Sequence, residues 1–90
     1  MAHFLIVTGK VKDFKTWKAS YDDHINIRKE FGLAEHHVLH GTDDPNEIVV
    51  MLKASDLNRA KAFLADPKVQ EVISKSGVVG KPQAHFLSEA

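Results

Sequence analysis

His24 and Arg28 have the types and the spacing to do chemistry. They stand four residues apart in a stretch of helical periodicity, so they project from one face. Near neutral pH an imidazole can move a proton from a phenol or an enolisable carbonyl, making His24 a candidate acid/base. A guanidinium can hold a carboxylate or a developing oxyanion through parallel N–H donors, which is the catalytic part open to Arg28. Trp17 and Tyr21 precede them on the same stripe and suit the wall of a pocket for a flat aromatic ligand. All four have structural readings too. Trp17 and Tyr21 are good core residues, and His24 and Arg28 can make buried hydrogen bonds, with Arg28 paired to a carboxylate from elsewhere in the chain.

The chain holds six histidines, three of them in the run AEHHVLH. Strict strand alternation puts His36, Val38 and His40 on one face and Glu35, His37 and Leu39 on the other. His36 joins the candidate ligand-contacting residues if its face is the one that helices cover. His24 would then approach His36 or His40, and three imidazoles can bind zinc, iron or copper. Strand residues at i and i+4 are too far apart to chelate one ion, however, and no HExxH spacing occurs. Neither a metal nor a cofactor is expected. His3 and His85 belong to no motif. Asp22 and Asp23 read as a solvated helix face, and no twelve-residue calcium loop follows Asp43 and Asp44. There is no phosphate-binding or dinucleotide fingerprint.

Composition narrows the class. Ninety residues make one domain, and a 43% hydrophobic fraction suits a folded chain. The formal net charge is zero, so nothing electrostatic points to nucleic acid or an acidic membrane as a partner. Lys10, Lys12, Lys15 and Lys18 form only a local basic patch, with acidic residues nearby. The absence of cysteine excludes disulfides, thiolate catalysis and Cys-based zinc sites, and fits a cytoplasmic protein. Near the N-terminus the apolar run is only Phe4 to Val7, with no basic region before it. Neither a signal peptide nor a membrane span is expected.

The elements that must position these residues follow from periodicity and punctuation. Residues 3–9 read as a strand. Asp13 caps a helix whose stripe Phe14, Trp17, Tyr21, Ile25, Arg28 and Phe31 predicts one helix to about Phe31, closed by Gly32. Strands follow near 34–41 and 47–54, around the turn Asp43-Asp44-Pro45-Asn46. That connection exceeds two residues, so it leaves the register open and admits a bulge. Ser55 or Asp56 caps a second helix, and Asp66-Pro67 restarts it at an angle until Gly77. Residues 78–82 read as a loop and 83–88 as a last strand. The order β-α-β-β-α-β predicts an α+β, ferredoxin-like domain: a four-stranded antiparallel sheet with two main helices on one face. Apolar residues lie on both faces of the strands at 3–8 and 48–52, so the other sheet face needs cover. An identical sheet from a second copy, a homodimer, is the simplest cover.

With FLIVTGKV, VKDFKTWKASYDDHINIRKEFG, the DDPNE turn and the helical KAFLADP before a bent last piece, nearly the whole chain resembles the small dimeric α/β-barrel proteins related to antibiotic-biosynthesis monooxygenases. The resemblance implies that two sheets pair as a dimeric α/β barrel. It also implies a pocket between helices and sheet lined by Asn, Trp, Tyr or Arg. Its functions span cofactor-free quinone-forming monooxygenases, haem-degrading enzymes, muconolactone isomerase, polyketide cyclases and stress-responsive proteins. The haem-degrading members use a histidine on the second helical segment, and this chain has none between residues 41 and 84. The resemblance thus implies an enzyme like the cofactor-independent monooxygenases or cyclases, acting on an aromatic or polyketide-like compound. The alternative is a non-catalytic dimeric ligand-binding or stress-responsive protein.

Overall fold

The computed structural model describes residues 2–90. The elements are β1 (His3–Val11), α1 (Phe14–Asp23), α2 (Ile25–Glu30), β2 (Leu33–His40), β3 (Glu47–Ala54), α3 (Leu57–Ala65), α4 (Pro67–Lys75) and β4 (Val78–Ser88). The ferredoxin-like βαββαβ order is present, with each helical region in two pieces. The strands form one antiparallel sheet in the order β2-β3-β1-β4. None of the described helices is long and apolar enough to cross a membrane.

The sheet is open, which corrects the expected barrel. The outer strands β2 and β4 make no ladder with each other, so both keep an unpaired edge. Closing a sheet on itself requires enough strands, with enough tilt, for the first to meet the last. Four strands end with their edges apart.

Two local expectations also change. The single helix to Phe31 is broken at His24, whose φ of −106° and ψ of 22° leave the helical region and end α1 before α2 begins. The loop at 78–82 is instead the first part of β4. Val78 and Val79 pair with Val11 and Lys10, and the register shifts before Gln83 meets Thr8. Pro82 sits inside this shift, on an edge strand, where a missing N–H is tolerated.

Alternation decides which side chains meet the helices. Leu5 of β1 lies opposite Leu52 of β3, and Val7 lies opposite Val50. Leu5, Val50 and Leu52 are buried beneath Trp17 from α1, Ala60 and Phe63 from α3, and Val69 from α4. Ala60 has no exposed surface, and its small side chain lets α3 lie close on the sheet. Burying a residue such as Leu5 contributes roughly 1.5–3 kcal/mol. Phe4, Ile6, Val49 and Met51 alternate with these residues and point to the uncovered face, where they stay half-buried.

The helix ends carry the expected caps. The Asp13 carboxylate accepts from the Thr16 N–H at 3.0 Å, Asp56 from that of Asn58, and Asp66 from those of Lys68 and Val69. Asn46 closes the turn before β3 and reaches across to α1. Its side-chain oxygen accepts from the Phe14 N–H at 3.0 Å, and its amide donates to the Lys12 carbonyl at 3.3 Å. One turn residue therefore fixes where the first helix starts.

Gly32 joins α2 to β2 with φ of +73°, and a Cβ there would stand 2.3 Å from the Ser55 Oγ. A left-handed backbone costs a non-glycine residue about 1–2 kcal/mol. Gly32→Ala is therefore expected to lower unfolding stability by at least about 1–2 kcal/mol, read from urea denaturation. A midpoint equal to the wild type's would contradict this account of the joint.

Candidate functional site

The break at His24 builds the polar part of the site. Within α1 the His24 N–H would bond the carbonyl four residues back, at Ser20. At the break it bonds Tyr21 instead, at 3.3 Å, which tightens the last turn and leaves the Ser20 carbonyl open. The imidazole of His24 fills that vacancy, with Nδ1 at 2.6 Å from the Ser20 oxygen. A carbonyl only accepts, so Nδ1 carries the hydrogen. In the neutral ring Nε2 is then the basic nitrogen, and it takes no partner among the described residues.

The Tyr21 carbonyl, which takes the His24 N–H at the break, also accepts from Arg28. Arg28 Nη1 donates to the Tyr21 oxygen at 2.7 Å. Arg28 Nε donates to Glu35 Oε1 at 2.7 Å, and Nη2 forms an ion pair with the same oxygen at 2.6 Å. The Tyr21 hydroxyl donates to the other carboxylate oxygen, Oε2, at 2.6 Å. The guanidinium carbon lies 3.7 Å from the Tyr21 ring centroid, and Trp17 stacks on that ring at 5.1 Å. Arg28 is 5% exposed. Its charge is thus buried, stacked and already compensated, as in the structural reading that paired it with a carboxylate.

Glu35 reaches this network because β2 is bulged. Glu35 pairs with Leu52 and His37 with Met51, so His36 is the extra residue. Strict alternation separates Glu35 from Val38 and His40. The bulge puts all three on the helix side, opposite Leu52, Val50 and Ile48. It turns His36 the other way, and this corrects its expected position. Its ring lies 5.5 Å from Phe4 on the uncovered face and 4.5 Å from the ring of His37. His40 packs against Phe14, with ring centroids 5.0 Å apart. His24, His36 and His40 therefore do not converge, and no cluster of three His, Asp or Glu side chains suited to a metal occurs among the described residues.

Glu35 is the residue that sequence reasoning missed. A signal for it was present. Leu33 and Val38 are both apolar but five apart, so strict alternation cannot bury both; one extra residue between them can.

A cleft of about 100 Å3 opens between the helices and the sheet. Val7, Val50 and Leu52 form its floor, Trp17 and Tyr21 one wall, and Val69 and Ile73 of α4 the other. His24, Arg28, Ser20 and Ser76 also line it, while His36 and Glu35 do not. The cleft volume is less than the roughly 150 Å3 of an apolar cavity that holds benzene, so the space admits one aromatic ring at most, and that only in part.

No family model matches the sequence, and no curated protein does. Solved structures match over almost the whole chain. A protein of Nitrosomonas europaea assigned as an antibiotic biosynthesis monooxygenase is 16% identical, with a TM-score of 0.74 over 98% of this chain and 89% of its own. The cofactor-independent oxygenase SnoaB of Streptomyces nogalater is 12% identical, with a TM-score of 0.74 over 99% of this chain and 92% of its own. A nipsnap family protein of unknown function from Agrobacterium tumefaciens is 19% identical, with a TM-score of 0.69 over 99% and 88%. The chain has the fold of these proteins. The ferredoxin-like domain expected from the order of elements is the one they share with it.

Burial and the hydrogen bond to Glu35 push the Tyr21 hydroxyl well above the ordinary range of a phenol. An unfolded tyrosine ionises near pH 10. Above that pH the unfolded chain gives up a proton that the folded chain keeps. The stability Tyr21 contributes is therefore complete below about pH 10 and is lost as pH rises toward the folded value. Tyr21 is the sole tyrosine, so tyrosinate absorbance reports it alone. The native protein is expected to show no ionisation near pH 10, whereas the urea-unfolded chain does; a native titration near 10 would refute the buried network.

Proposed function

We propose that the protein is a small-molecule enzyme of the cofactor-independent oxygenase kind, acting on an aromatic or polyketide-like phenol. The observation that carries this is an apolar cleft lined by His24, whose Nε2 has no hydrogen-bond partner among the described residues. The likeness in fold to a cofactor-independent oxygenase supports it.

A substrate ring lies between the Trp17 and Tyr21 wall and the valines of the sheet and α4. His24 Nε2 takes the phenolic proton while Nδ1 stays bonded to Ser20, so the ring does not turn as it becomes cationic. The imidazolium and phenolate form as a pair in an apolar site, where their attraction is strong. An electron-rich phenolate can itself reduce oxygen. A peroxide forms at a ring carbon, and loss of water leaves a quinone, with one oxygen atom in the product and the other in water. Arg28 takes part by holding the Tyr21 wall, with Glu35 behind it.

Binding without turnover is the second reading, and the compensated charge of Arg28 favours it, since an oxyanion holder works best unpaired. Oxygen uptake with a panel of single-ring and polycyclic phenols separates the two. His24→Gln, which keeps a donor to Ser20 but removes the base, is expected to lower kcat by at least about a hundredfold. Turnover equal to the wild type's would exclude His24 as the base, and no uptake by the wild type with any phenol would leave binding as the function.

We also propose a homodimer that covers the open sheet face. Phe4, Ile6, Val49 and Met51 lie there half-buried, and Leu39 and Leu87 are 49% and 46% exposed at its sides. An apolar face of this kind marks an interaction surface. Sedimentation is expected to give the mass of two chains, and Met51→Glu the mass of one. A wild type that sediments as one chain at high concentration would sink the dimer.

A further inference from the structure

Glu35 lies outside the cleft, yet it meets every charge that Arg28 brings to it. Glu35 Oε1 accepts from Nε and forms an ion pair with Nη2, and the Tyr21 carbonyl accepts from Nη1. The second carboxylate oxygen is held by the Tyr21 hydroxyl. An aryl carboxylate entering the cleft beside Arg28 meets a guanidinium whose charge is already paired, with a second carboxylate just behind it. A neutral ring meets no such opposition, because the rest of the lining is apolar but for His24 and two serines.

We infer that Glu35 is a specificity-determining residue: by compensating Arg28 it makes the cleft select an uncharged aromatic ring over an aryl carboxylate. This rests on the cleft being the ligand site, as proposed above. It also defines the substrate class more narrowly, as a neutral phenol whose charge first appears when His24 takes its proton. Glu35 acts through Arg28 and is a positioning residue, not a catalytic one.

The test compares benzamide with benzoate, two single rings of the same shape that differ in charge. Trp17 is the sole tryptophan and lines the cleft, so its indole N–H resonance gives one signal for binding and for native folding. A like or opposite charge within about 4–6 Å changes a charged group's equilibrium by roughly ten- to a thousandfold. The wild type is therefore expected to bind benzamide at least about tenfold more tightly than benzoate. Glu35→Gln keeps acceptors for Arg28 and Tyr21 but leaves the guanidinium charge uncompensated, and the affinity ratio is expected to move at least about tenfold toward benzoate. A merely structural role would weaken both ligands alike and leave the ratio where it was. The double variant Arg28→Met with Glu35→Gln removes both charges and is expected to return the ratio to the benzamide side. A Glu35→Gln protein with a native Trp17 signal and an unchanged ratio would overturn the inference while sparing the cleft. Failure of both ligands to shift the wild-type Trp17 signal would overturn the cleft reading and this inference with it.

Discussion

A guanidinium buried to 5% exposure has to be compensated, and much of the irregular geometry in this chain serves that need. Arg28 cannot lie under a helical layer unless hydrogen-bond acceptors meet it there. One is the Tyr21 carbonyl at the break, which accepts from both the His24 N–H and Arg28. The bulge at His36 supplies the other, by keeping Glu35 on the helix side of its strand. Gly32 makes the turn that brings strand and helix face to face within eight residues of chain. Removing any one of these features would leave a charge facing apolar side chains.

The same break gives the imidazole its orientation. At the break the side chains of His24 and Arg28 each bond one carbonyl of the last turn of α1, those of Ser20 and Tyr21. The ring of Tyr21 is held between an indole and a guanidinium, with its hydroxyl directed away from the cleft to Glu35. The cleft therefore presents Tyr21 as a flat surface and not as a hydrogen-bonding group.

The fold was largely legible in the sequence because its signals are local. Asp13, Asp56 and Asp66 cap helices where their spacing from the apolar stripes says they should, and Gly32 takes the positive φ that its place after the helix requires. Trp17, Tyr21, His24 and Arg28 could be grouped because the break falls after most of the stripe is set, and all four reach one cleft. The partner of Arg28 was not legible. Strand alternation fails at a single inserted residue, and that residue reverses every assignment on one side of it. His36 and Glu35 exchanged faces for this reason alone. The dimeric barrel was an expectation of the resemblance, not of any residue pattern, and the sheet is open, with β2 and β4 as unpaired edges.

Both outer strands share a property that bears on the fate of the protein in a crowded solution. Open edges invite other chains to add a strand, and aggregation spreads by repeating that step. Here β2 is kinked by the extra residue at His36, and β4 by its register shift at Gly80–Pro82, where Pro82 also has no N–H to offer. An incoming strand meets only short stretches of regular ladder on either side. The bulge that delivers Glu35 to Arg28 thus also breaks up one of the two templates on which misassembly would grow.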